Sequence, residues 1–127
     1  MNIKDIKIGQ TVYIKLIGNA SRNKDENALI EEWEITYVGK KLIKAKHKGW
    51  DNGFEETFEK RNNGNKEQFV QKTNYCVNYV LYFDKQEILD EFERNNLFQE
   101  ICNYFRGYDN KLSLEKLRKI SEIIKNE

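Results

Sequence analysis

The period of the apolar residues changes once along this chain of 127 residues, near residue 84. Before that point apolar and polar residues alternate, the two-fold rhythm of strands. After it the apolar spacing is three and four, the rhythm of helices. Residues 1–83 therefore predict a small β-unit and residues 84–127 a helical part. The glycines agree: Gly9, Gly18, Gly39, Gly49, Gly53 and Gly64 precede the switch and only Gly107 follows it, so turns are dense early and sparse late. No repeat or low-complexity linker separates the parts. Each alone is small for an independent core, so the expectation is one domain in which they pack together.

The first strand reads as Thr11 to Ile17, with Val12, Ile14 and Leu16 on one face. Residues 18–29 are polar and aperiodic and read as a long loop. Ile30 to Val38 and Leu42 to Lys48 read as a hairpin about Gly39-Lys40-Lys41. A three-residue turn puts Tyr37 opposite Ile43, Ile35 opposite Ala45 and Trp33 opposite His47. Thr36, Glu34 and Glu32 then meet Lys44, Lys46 and Lys48 on the other side, largely a ladder of opposite charges. Further strands are expected over 54–60, with Phe54 and Phe58 sharing a face, over 67–73, with Phe69 and Val70 on opposite faces, and over 79–82. Residues 61–66 are left as a loop.

Asp84 followed by Glu87 resembles a capping box. The helical stripe is Ile88, Phe92, Phe98, Cys102 and Phe105, bordered by Leu97 and Ile101, with a break expected at Asn95-Asn96. Gly107 to Leu112 reads as a turn. Ser113 can cap a last helix carrying Leu114, Leu117, Ile120 and Ile124 on one face. The aromatics of the stripe, Tyr104 included, read as the seam between helices and barrel; any part of it left exposed is a surface for a partner or a further copy.

Hydrophobic residues make up 39% of the chain, enough for one compact core and too few for two. Lys and Arg number 22 and Asp and Glu 21, which speaks against a global field for nucleic acid or anionic membrane. The balance is 14 basic to 11 acidic groups over 1–83 and 8 to 10 over 84–127, mild values for a binder of phosphate backbones. No apolar run suffices to span a bilayer, and Met1 to Asp5 lacks the apolar stretch of a secretory signal, so the expectation is a cytoplasmic protein without membrane contact. Two cysteines, one histidine and no proline exclude a disulfide scaffold and most metal sites.

Ile8-Gly9-Gln10-Thr11-Val12-Tyr13-Ile14 and Trp33 to Ile43 resemble the opening strand and first hairpin of SH3-like small barrels. With Phe58-Glu59-Lys60, Gln71 to Tyr75 and Asp84 to Ile88, the chain resembles a family of small β-barrel proteins carried by phages and mobile elements of low-GC Gram-positive bacteria. The resemblance implies a β+α fold: an SH3-like barrel of five or six antiparallel strands, followed by two or three C-terminal helices packed on it. It brings no catalytic residues. By analogy with other small phage proteins, it implies binding to a component of the bacterial host.

The residues add little chemistry. His47 has no second ligand of its kind nearby and sits beside Trp33 in the predicted hairpin, a packing position. Cys76 and Cys102 form no C-x-x-C, and a nucleophilic Cys76 would need His47 as its base. Glu55 and Glu59 fall on the solvent side, where nothing raises a carboxyl pKa. Asn19-Ala20-Ser21 matches the glycosylation triplet, which reads as chance without a signal peptide. The row Lys40, Lys41, Lys44, Lys46, Lys48, with Trp50, Tyr75 and Tyr79 for stacking, suits nucleic acid, but Glu32 and Glu34 cancel much of its charge. Loops 18–29 and 61–66 offer Asn19, Ser21, Arg22, Asn23, Arg61, Asn62, Asn63 and Lys66, groups that donate to phosphate or carboxylate.

The expectation is thus no enzyme, cofactor or metal, but a binding protein that blocks or sequesters a host protein or complex, in its specific form an inhibitor of a CRISPR or nucleotide-signalling defence. Its binding residues would be Arg22, Asn19, Asn23, Arg61, Asn62, Lys66 and Trp50, with Arg22 and Arg61 as anchors. The alternative is a nucleic-acid-binding accessory module; a binder of anionic nucleotides is a third reading.

Overall fold

The computed structural model describes residues 5–64, 66–106 and 112–126. Six antiparallel strands close a barrel in chain order: β1 Thr11–Leu16, β2 Ile30–Val38, β3 Leu42–His47, β4 Glu56–Asn63, β5 Lys66–Gln71 and β6 Tyr79–Tyr82, with β6 pairing back onto β1. Two helices follow, α1 Lys85–Arg106 and α2 Leu114–Lys125. The chain divides into two compact units, Met1–Phe92 and Glu93–Glu127.

Alternation decides what enters the barrel. Val12, Ile14 and Leu16 of β1 are buried inside with Trp33, Ile35, Ile43, Ala45, Phe58, Phe69 and Leu81. A second cluster lies on the outer face, where Val70, Val80 and Tyr82 meet Ile88 from the first turn of α1. Phe69 and Val70 thus do face opposite ways, and β6 is covered on both sides.

The start of α1 is fixed chemically as well as by packing. Asp84 accepts the N–H of Gln86 at 2.9 Å, so its side chain caps the second helical N–H rather than that of Glu87. Glu91 accepts from the Lys15 ammonium at 2.8 Å, the Lys66 ammonium at 3.1 Å and the Tyr82 hydroxyl at 2.8 Å. Burial alone would raise the Glu91 carboxyl, but these three donors outweigh it and hold the group below its ordinary range. Burial, and then the hydrogen bond to Glu91, pushes the Tyr82 hydroxyl well above the usual tyrosine value.

Four local expectations are corrected. In the β2–β3 hairpin Trp33, Glu34 and Ile35 do pair with His47, Lys46 and Ala45, but Tyr37 pairs with Lys44 and Val38 with Ile43. The turn is one residue longer than a three-residue turn, and a bulge at Thr36 absorbs the difference. Tyr37 swings outward beneath the Lys44 ammonium while Val38 turns to the core. Second, residues 61–66 are no loop: β4 and β5 run through them, with Arg61 opposite Gln68 and Asn63 opposite Lys66. Phe54 lies outside β4, exposed, and does not share the buried place of Phe58. Third, residues 18–29 hold two 3₁₀ turns, Gly18–Ser21 and Glu26–Leu29, the second capped by Asp25 accepting the Ala28 N–H. Gly18 has φ +57° and lies so close to the neighbouring chain that a Cβ there would meet the Val77 carbonyl oxygen at 2.8 Å.

Fourth, Asn95-Asn96 does not break the helix; α1 is continuous because two residues of modest propensity cannot interrupt 22 that are otherwise consistent. Ile88 and Phe92 pack in the barrel unit as the seam requires, but Phe98, Tyr104 and Phe105 are exposed. Ser113 caps α2 by accepting the Lys116 N–H. The turn read over Gly107 to Leu112 lies, but for Leu112, outside the described residues.

Candidate nucleic-acid interface

Because the strands alternate in direction, the barrel has two poles. The connections 17–29, 48–55 and 72–78 gather at one, and the shorter β2–β3 and β4–β5 connections at the other. Strand β3 joins them. It buries Ile43 and Ala45 and turns Lys44 and Lys46 outward, between Lys40-Lys41 at its start and Lys48 and Trp50 just past its end. Outward residues on a strand recur about every 6.7 Å, an interval comparable to that between phosphates of an extended single strand.

At the end of this row stands an aromatic group. Trp50 is stacked on His47 with ring centroids 4.4 Å apart and planes 12° from parallel. Trp33, fully buried, lies 5.8 Å from Trp50, 6.1 Å from Phe58 and 5.3 Å from Tyr79. Phe54 approaches Trp50 from the solvent side at 6.2 Å. Trp50 and Phe54 are 38% and 44% exposed, so this cluster keeps open surface while its base is sealed in the core. His47 is fixed by two contacts. Its Nδ1 accepts the Gly49 N–H at 2.8 Å, which leaves the proton of the neutral ring on Nε2, and Nε2 faces Glu31 at 3.7 Å. Glu31 in turn accepts from the Trp33 indole N–H at 3.2 Å. Burial, then the charges of Glu31 and Glu56, raises the Tyr79 hydroxyl.

At the other end of β3, Lys40, Lys41, Lys60, Lys72 and Asn62 line an open concavity of about 570 Å³. Glu59 and Glu67 also line it, but both are engaged. Glu59 binds Arg61 through two donors at 2.9 and 2.7 Å, and Glu67 pairs with Lys60 at 3.0 Å. Lys40, Lys41 and Lys72 have no side-chain hydrogen bond or ion pair among the described residues. The predicted charge ladder is partial: Lys48 pairs with Glu32 at 3.8 Å, Glu34 stands in register with Lys46, and the bulge removes Thr36 from Lys44.

The residues singled out from sequence do not converge. Arg22 and Asn23 lie exposed beyond the first 3₁₀ turn, Asn23 at φ 59°, and the Asn19 N–H donates to Asn78. These share the long-connection pole with Trp50. Arg61, Asn62 and Lys66 lie on strands toward the opposite pole. Arg61 is held by Glu59, and Lys66 is held by Glu91 with its ammonium over the Tyr82 ring. Only Asn62 of the three faces the basic concavity. The contributions of Lys60 and Lys72 were not legible, because only the pairing of β3 with β4, and of β4 with β5, brings them beside Lys40 and Lys41.

Among the described residues no group of three His, Cys, Asp or Glu side chains is placed to hold a metal ion. Nor is any helix long and apolar enough to cross a membrane. The molecule is a small closed barrel with a lysine-lined strand and an open aromatic end. The chain belongs to the family of phage ProQ C-terminal-like domains, whose model matches residues 1–127. No curated protein and no solved structure matches it.

Proposed function

We propose that this chain is a non-catalytic phage binding module that holds single-stranded RNA along β3. The carrying observation is the lysine row from Lys40 to Lys48 that ends at the Trp50–His47 stack: cations that follow a phosphate chain, then a ring on which a base can stack. The association of ProQ-like domains with RNA binding supports the same partner. The near-neutral whole chain is compatible with this, because Lys40, Lys41 and Lys72, unpaired among the described residues, line one concavity.

The test is anisotropy of a labelled single-stranded RNA titrated with protein across salt concentrations. The expected log–log salt slope is roughly −2 to −3.5, from three to five phosphates neutralised. Trp50→Ala should weaken binding by roughly 5- to 150-fold, the worth of one stacked base. Lys40→Ala with Lys41→Ala should make the salt slope shallower. No binding at low salt with tens of micromolar protein, or affinity and slope unchanged in both variants, would overturn the reading.

A second reading, obstruction of a host protein or defence complex, is favoured by Arg22. Its guanidinium is exposed and without a partner among the described residues, on a connection anchored by Asn19 and Asn78. Arg22→Ala separates the two: it leaves RNA affinity unchanged under the first and abolishes capture of a host protein under the second.

A further inference from the structure

The unit Glu93–Glu127 contains no buried residue among those described, although it is rich in apolar side chains. Phe98, Ile101 and Tyr104 of α1 and Leu114, Ile123 and Ile124 of α2 are each more than half exposed. Cys102 and Phe105 complete one face of α1, at spacings of three and four. Leu117 and Ile120 do the same for α2. Between the helices Ile101, Tyr104, Phe105, Leu112 and Ile120 line a wholly apolar depression of about 300 Å³. A helical pair of this size without a disulfide cannot bury a core of its own.

We infer that this face is the contact between two copies of the chain, with the α1–α2 pairs of two protomers forming a four-helix core. Three observations favour a second copy over other occupants. The unit carries seven basic and six acidic side chains, so it neither repels a copy of itself nor offers a charge for an acidic or basic partner to read. Each copy presents both an apolar depression and protruding apolar side chains, the self-complementary pair that a two-fold contact requires. The area also suffices: six side chains, each offering roughly 100 Å², give about 1,200 Å² over two copies, the threshold of a stable specific interface. Two two-helix units together supply the four helices of a bundle that packs around one core.

Sedimentation equilibrium of the full chain, without nucleic acid, tests this. The expected result is twice the chain mass at tens of micromolar. Phe98→Glu on α1 and Ile124→Glu on α2 should each weaken association at least tenfold, since each sets a charge in the contact. Tryptophan fluorescence monitors the barrel in parallel, and the two variants lie on different helices, so a folding defect in one leaves the other to decide. A monomer at about 100 μM, a range in which even weak specific dimers form, would overturn the inference. So would undiminished association in both variants, or a monomer that instead sediments with anionic lipid vesicles. Because RNA takes no part, failure here leaves the RNA reading standing, and the reverse holds too.

Discussion

The two units of this chain solve the same problem with opposite results. In residues 1–92 six short strands close on themselves, and Val12, Ile14, Trp33, Ile35, Ile43, Ala45 and Phe58 lose all contact with solvent. In residues 93–127 two helices carry an equally apolar pattern, and nothing described there is buried. A closed sheet encloses volume with very little chain, because every strand contributes alternate side chains to one shared interior. Two helices enclose none, because each has a single apolar stripe and the pair leaves two of its flanks open. Patterning therefore dictates which face is apolar, while closure decides whether that face is covered.

The sharpest way to break this contrast is to cut into each unit. Trp33→Ala removes the largest side chain of the barrel interior, together with its hydrogen bond to Glu31, and should cost about 3–5 kcal/mol. Phe98→Ala, at a position 63% exposed, should leave the barrel's own transition within about 0.5 kcal/mol. Guanidinium melts read by fluorescence suit the comparison, since both tryptophans, Trp33 and Trp50, belong to the barrel unit; Trp50 is the reporter in the Trp33→Ala variant. If the Phe98→Ala barrel melts as early as the Trp33→Ala barrel, the units are not energetically distinct.

The same contrast explains what could be read from the residues alone. Alternation over Thr11–Leu16 reports directly which side chains are inside, and that strand and the short one at Tyr79–Tyr82 stand within one residue of where the sequence put them. The ends of β4 and β5 did not show, because Arg61, Asn62 and Lys66 are polar on both faces where the hairpin projects past the interior. Without a buried face no register is marked, and polarity imitates a loop. The continuity of α1 through Asn95-Asn96 was hidden for a related reason: local propensity suggested a break, and the surrounding helix formers outweighed it. At the candidate site Trp50 and the lysine row were visible as residue types. The concavity that joins Lys72 to Lys40 was not, because it exists only through strand pairing.

A smaller effect separates the covered part of α1 from the rest. Glu91 holds α1 to the barrel through Lys15, Lys66 and Tyr82. Its carboxyl lies below the ordinary value in the folded state, so folding favours the charged form. That stabilisation is whole above the unfolded-state pKa of about 4.3 and is lost as pH falls through it toward the folded value. Tyr82 has the opposite sign. Its hydroxyl is raised, so its contribution is whole below about pH 10 and is lost as pH rises beyond it. Glu91→Gln should cost about 1–3 kcal/mol at neutral pH, by weakening three hydrogen bonds of which two are ionic. It should also flatten the acid limb of a plot of melting temperature against pH. An acid limb as steep as that of the unchanged protein would show that other carboxylates set it.

The smallest effect lies in the barrel itself and has the reverse sign. The bulge that lengthens the β2–β3 turn leaves the Thr36 hydroxyl buried without a hydrogen-bond partner among the described residues. A hydroxyl taken from water and left unpaired costs free energy that a methyl group of the same shape does not. Thr36→Val keeps the β-branch suited to a strand and removes that cost. It should therefore stabilise the barrel by about 1 kcal/mol, seen as a higher denaturant midpoint at unchanged slope. The slope matters, since a changed m-value would mean that the bulge had been repaired and the register of Tyr37 and Val38 altered with it. A lower midpoint would mean that the hydroxyl finds a partner in solution, and the barrel would then contain no such penalty to remove.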